Sequence, residues 1–249
     1  MVHAKNFTIA AIALVATLAA NASAGGAEKH VKKVDLHGGH YFTVGGTMLD
    51  LENVNDAITP DGFHSISDYA VQIGGGLNWR ARRLLGGAEL FGYVSQKEER
   101  GTTYTKLYGI GSRMNIGFNV LPESPFLLYP QFGLGLGGLG VRLGNDEVDF
   151  DQAVAAPINN ISLWQRTFVL EPGMGFEYRI PKKRPGKFLA LGLRAGYAFD
   201  VSDRDDWRSD WVDITSGPDL RASGPFLRIT IGKSYTRKWG KHHGHKADA

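Results

Sequence analysis

The chain contains no cysteine. Disulfides are therefore excluded, and so is a lipid-modified cysteine behind a leader segment. Stability must come from backbone pairing and packing. Beyond the first two dozen residues no apolar run reaches the ~20 residues that a membrane-crossing helix needs. The formal charge of +3 over 249 residues is too small to suggest a nucleic-acid partner. The 33 glycines show no collagen-like period, so they call for another explanation.

What is present begins with a targeting pattern. Lys5 precedes an apolar run from Ile9 to Ala20, and Ala22-Ser23-Ala24 forms a small-residue cleavage site before Gly25. Residues 1–24 therefore read as a secretory signal peptide, and the apolar run is short for a bilayer anchor. The remainder fits one domain over 25–235, followed by a basic, His-containing tail over 236–249. Export makes a nucleic-acid partner less plausible still.

The dominant pattern is an alternation with a polarity unlike that of soluble proteins. Tyr108, Ile110, Ser112, Met114, Ile116, Phe118 and Val120 alternate with Gly109, Gly111, Arg113, Asn115, Gly117 and Asn119. A period of two is a β-strand. Seven other segments repeat it: His40–Leu49, Tyr69–Trp79, Leu85–Ser95, Phe126–Leu139, Thr167–Ile180, Phe188–Val201 and Pro225–Tyr235. One face is apolar, and the other is glycine, polar or charged. A soluble ligand-binding barrel would need the reverse polarity. Many of the glycines fall on the inner face, where a narrow barrel needs small residues.

Short connections (Arg80 to Arg83, Pro122 to Pro125, Pro181 to Gly186) alternate with long ones (Leu51 to Ser67, Gly144 to Gln165, Ser202 to Ser223). The link Lys97 to Thr103 reads as a hairpin turned at Arg100-Gly101. Short periplasmic turns and long outer loops predict a closed antiparallel transmembrane β-barrel of the outer membrane. Eight strands place both termini in the periplasm. Ten is the alternative, if Val31 to Leu36 or a long loop also pairs. Pro130 and Pro172 lie inside strands and predict a bulge or a strand boundary at each. The alternation in the fifth strand is lost near Gly137-Gly138-Leu139-Gly140. Outward aromatics form two belts: Trp79, Phe118, Tyr178 and Tyr235 near the periplasm, and Tyr69, Tyr108, Phe168 and Phe199 opposite.

In architecture the chain resembles the small outer-membrane barrels of the OmpA, OmpX and OmpW type. The resemblance covers most of the segment after the leader, and no family-specific motif carries it. Such barrels usually end on an aromatic residue. Tyr235 fits that role, although a tail follows it.

Four constellations bear on function. Glu89, Arg113, Glu171, Arg194 and Arg228 face inward, most of them at similar heights, with Gln72, Asn115 and Gln131 beside them. Enclosed charges must be paired, so these five predict an ion-pair network that plugs the lumen. Acidic outer loops form a second group: Asn145 to Asp151, and Asp200 to Asp213 with Trp207 and Trp211. Their spacing is not a calcium loop, and solvated charge is the simpler reading. Trp207 and Trp211 are the candidate surface-contact residues. His64, Ser65 and Asp68 share one loop and match no catalytic motif. The tail carries Lys241-His242-His243-Gly244-His245, a solvated basic segment. With Arg80, Arg82, Arg83, Lys182, Lys183 and Arg184 it gives a basic periplasmic rim that suits anionic headgroups.

The sequence thus predicts a monomeric, non-enzymatic outer-membrane protein of a Gram-negative envelope, without cofactor or metal. Its partners would be membrane lipid and lipopolysaccharide, with a host, phage or envelope protein possible at the outer loops. A small pore or transporter of small or hydrophobic solutes, and a lipid A-modifying rim enzyme, are the alternatives.

Overall fold

The computed structural model describes residues 35–121, 124–145, 160–202, 207–209, 213–214 and 217–238. The predicted signal peptide, most of the acidic loop residues, Trp211 and the tail beyond Lys238 lie outside the described residues.

Eight long antiparallel strands form the wall: β1 Asp35–Met48, β2 Tyr69–Ala81, β3 Leu84–Ser95, β4 Thr103–Phe118, β5 Phe126–Asn145, β6 Asn160–Pro181, β7 Lys187–Asp200 and β8 Gly224–Lys238. Each pairs with its sequence neighbours, and β1 pairs with β8, which closes the barrel. Among the described residues three short strands decorate the outer end. Glu98–Arg100 pairs with the start of β4, and Trp207–Ser209 pairs with both β6 and Asp213–Ile214. They extend existing strands and add no wall strand, so the barrel has eight strands and not ten.

Ladder partners can be followed once around the wall. His37 leads through Arg80, Leu85, Gly117, Gln131, Gly173, Gly196 and Phe226 back to β1 at Thr47, ten residues further along. With a rise of ~3.3 Å per residue and strands ~4.8 Å apart, that stagger tilts eight strands by roughly 40°. The outside of the wall is apolar. Leu77, Leu90, Ile110, Phe42 and Leu227 are each more than half exposed. A soluble protein rarely leaves so continuous an apolar surface open. A band of this kind around a closed barrel is a lipid-facing belt.

The short turns are tight. Arg82, at φ 55°, makes the two-residue turn between β2 and β3, as hairpin twist requires. Gly101, at φ 63°, turns the predicted hairpin between Arg100 and Thr103.

Two sequence expectations need correction. Neither Pro130 nor Pro172 marks a bulge or a strand end. Both face outward, and the β5–β6 register runs unbroken through Pro130↔Met174 and Phe132↔Pro172. Between β6 and β7 the ladder merely skips Glu171 and Pro172, then resumes in the same register. A proline lacks only the N–H, so one missing rung satisfies it. The alternation of β5 is likewise not lost at Gly137. The strand continues to Asn145, with Leu139, Val141 and Leu143 buried inside. Here the polarity inverts. At 20 and 22 residues, β5 and β6 are about twice the ~10 residues that cross a bilayer. Their upper halves meet water outside and a protein core within.

That core closes the outer end. The first long loop carries a helix, α1 Glu52–Ile58, which places Val54 and Ile58 on one face. They join Leu107, Leu139, Val141 and Leu220, all buried, in one apolar cluster. The side chain of Asn55 fixes the loop, since Nδ2 donates to the Ile66 carbonyl (3.1 Å) and Oδ1 accepts from the Ile66 amide (2.7 Å). Asn55→Ala removes both bonds and should loosen this loop by about 1–3 kcal/mol. Limited proteolysis should then cut the first outer loop faster in the variant, with the barrel wall intact.

Candidate functional site

Inward positions along the strands converge at mid-barrel. Gly45 on β1 leaves room for an arginine, because a Cβ there would meet Arg228 Cγ at 2.8 Å. Gly111 on β4 does the same for the Phe91 ring, at 2.7 Å. Small residues on some strands therefore house large ones from others.

Glu171 on β6 is the centre. It receives Arg113 Nη1 at 2.5 Å and is gripped by Arg228 through Nη1 and Nη2, both at 2.9 Å. Arg228 Nε also donates to Gln72 Oε1 at 2.6 Å. Glu89 on β3 forms the second node. Arg113 Nη2 lies 3.5 Å away, Arg194 Nη1 lies 3.4 Å away, and the Tyr41 hydroxyl donates to it at 3.0 Å. Arg113 thus bridges both carboxylates. All five ionic residues are less than a tenth exposed. Each arginine also stacks on a ring: Arg113 on Phe91 at 4.3 Å, Arg194 on Tyr41 at 4.7 Å and Arg228 on Phe226 at 3.7 Å. Forked charge-assisted bonds and aromatic faces are what make enclosed guanidinium groups tolerable.

The structure thus brings together Glu89, Arg113, Glu171, Arg194 and Arg228. Three further inward residues carry no distinguishing signal as part of such a network in the sequence. Tyr41 reads as an ordinary inward aromatic, yet it links Arg194 to Glu89. Glu177 and Arg179 pair at 2.7 Å nearer the periplasm. Only their i, i+2 spacing on one strand face hints that they pair with each other. Between the two layers lies a small cavity of about 30 Å³, lined in part by Asn115, Gln131 and Ser234, room for only a water molecule or two.

The outer loops fold inward. The Trp207 indole is 3% exposed and donates to the Pro218 carbonyl at 2.8 Å. It therefore packs into the loop core and presents no face to a partner. The Leu220 amide donates to Gln165 Oε1, and the Ala222 amide donates to Asp200 Oδ2. These bonds draw the last long segment over the barrel mouth. His64 Nδ1 lies 2.9 Å from the carbonyl of its neighbour Ser65, a local backbone contact. Among the described residues no group of three or more His, Cys, Asp or Glu side chains is placed to hold a metal ion.

No protein-family model matches the chain, and no curated protein matches it. Solved barrels do. The chain is similar to a major outer membrane protein of Thermus thermophilus (TM-score 0.46, 11% identity, 80% of this chain and 99% of that one). It is also similar to OprG of Pseudomonas aeruginosa (0.37, 14%, 84% and 98%) and to Ail, the attachment invasion locus protein of Yersinia pestis (0.36, 12%, 83% and 100%). Each likeness concerns barrel form alone. By its own register and apolar belt, the chain is an eight-stranded barrel of the outer-membrane type.

Proposed function

We propose that this protein is a non-enzymatic outer-membrane barrel with a closed lumen, which serves the envelope through its wall and its outer loops. In this reading it is exported to the Gram-negative outer membrane by a cleaved signal peptide and stays monomeric. The supporting observation is a double block. The arginine–glutamate network ties β3, β4, β6, β7 and β8 together across the middle of the barrel. Above it, the apolar cluster under α1 fills the outer end. An eight-stranded interior is only wide enough for side chains, so two filled layers leave no path for a hydrated solute.

Conductance tests this. The refolded wild type in a planar bilayer should give no current steps above the lipid baseline. Sustained openings would sink the closed-lumen reading and favour a pore.

A further inference from the structure

Even-numbered residues of β4, β5 and β6 face outward, as the exposed Ile110, Met114, Leu134 and Leu136 show. Followed toward the outer end, this face changes character within a few residues on all three strands. On β4, Ile110 gives way to Tyr108 and then Lys106. On β5, Leu136 gives way to Gly138, Gly140 and Arg142. On β6, Phe168 gives way to Arg166 and Trp164. The strand Trp207–Ser209 adds Arg208, paired with Trp164.

These residues are neighbours by register. Lys106 is directly opposite Arg142, Arg166 is opposite Gly138, and Trp164 is opposite Gly140. Two cations opposite each other on adjacent strands repel and destabilise a sheet. Arg142, Arg166 and Arg208 are exposed. Among the described residues no carboxylate pairs with Lys106, Arg142 or Arg166, whereas Arg208 lies opposite Asp213 in the ladder of the two short strands. Glu99, on the short strand beside β4, is held by Lys97 at 3.1 Å. Arg142 has only the Ser162 hydroxyl, at 3.3 Å, and the Tyr108 ring, at 5.6 Å.

Between the cations the surface is shaped. Tyr108 and Trp164 meet edge to face at 4.6 Å, lying over Gly138 and Gly140. A Cβ at Gly140 would meet Tyr108 at 2.8 Å and Trp164 at 3.0 Å. The patch is one-sided. Outward positions at the outer ends of β7 and β8 are Tyr197, Phe199, Pro225 and Leu227, with Val201 just beyond β7, and none is basic. Charge placed only for solubility would ring the barrel.

We propose that this face is a docking site for a phosphorylated glycolipid of the outer leaflet. Its phosphates meet Lys106, Arg142 and Arg166, and its sugar–acyl boundary lies on Tyr108 and Trp164. Aromatic rings suit the water–lipid boundary, and guanidinium groups suit phosphate geometry. The site rests on the membrane placement of the barrel and is independent of whether the lumen conducts.

The test uses the refolded full chain in non-ionic detergent, checked for folding by gel mobility before and after boiling. Retention of bisphosphorylated lipid A is counted by native mass spectrometry. The wild type should retain it and should lose enzymatically dephosphorylated lipid A. The double variant Arg142→Gln/Arg166→Gln should bind roughly 25-fold more weakly, as expected for two lost cation–phosphate contacts at a membrane surface. Should the double variant fail to fold, each single variant should lose roughly 5-fold. Equal retention by folded variants, or equal retention of the dephosphorylated lipid, would overturn the proposal. Complete displacement by millimolar inorganic phosphate would also overturn it, by assigning the patch to a free anion.

Discussion

Glu171→Ala should be the most damaging single substitution in the barrel wall. The carboxylate takes a forked pair of bonds from Arg228 and another from Arg113, all out of reach of solvent. Its removal leaves two guanidinium groups facing each other with Glu89 as the remaining carboxylate of the network. Breaking a buried pair by deleting one partner costs about 3–5 kcal/mol. Urea titration of the refolded protein, read by gel mobility, should show the midpoint fall accordingly. The control is the triple change Arg113→Met, Glu171→Leu and Arg228→Met, which removes the charges together. By the same reasoning it should be close to neutral or even stabilising. If the single and triple variants lose equally, side-chain volume rather than charge pairing holds the middle of the barrel.

The second large effect is expected on the opposite face. Leu90 lies near the centre of β3 and is 69% exposed. On a soluble protein, arginine at such a position would be almost free of cost. On a lipid-facing wall it should cost about 2–4 kcal/mol near the bilayer midplane. Leu90→Arg therefore distinguishes lipid from water outside the barrel more sharply than any localisation assay. Its counterpart is a gain. Ser112, the weak member of the outward set on β4, sits opposite both Leu90 and Leu136. Ser112→Leu should stabilise the protein in bilayers by about 1 kcal/mol or more. Folding free energies in phosphatidylcholine vesicles measure both. A neutral Leu90→Arg would remove the lipid-facing assignment.

The strand pattern was legible because burial in a membrane barrel inverts at every residue and leaves a period of two. It stayed legible only while the surroundings outside the wall stayed the same. At Gly137 the exterior changes from lipid to water, and Leu139, Val141 and Leu143 turn the code inside out, so one continuous strand read as a fading one. The five network residues were visible as charges on the glycine face. Tyr41 was not, because a ring facing inward looks the same whether it fills space or carries a hydrogen bond between ions. The helix at Glu52–Ile58 is too short to show a periodicity, and the apolar cluster it shares with β4 and β5 residues gives it a role. Trp207 reads as a contact residue in the sequence because aromatic residues among aspartates resemble a contact surface. Its bond to the Pro218 carbonyl makes it an interior residue of the loop.

Closure of the wall also sets the order in which it can form. The seam between β1 and β8 joins Asp35 to Lys238 and runs for thirteen residue pairs, the longest separation along the chain that any ladder spans. Hairpins such as β2–β3 need only a two-residue turn and carry little loop entropy, whereas the seam must wait until almost the whole chain has been ordered. Until then β1 and β8 are unpaired edges with apolar flanks, the features that invite pairing with another chain. The moment of greatest danger for this protein is therefore the last step of its own assembly. Slowing that step should yield aggregates joined through β1 and β8 rather than through the hairpins between them.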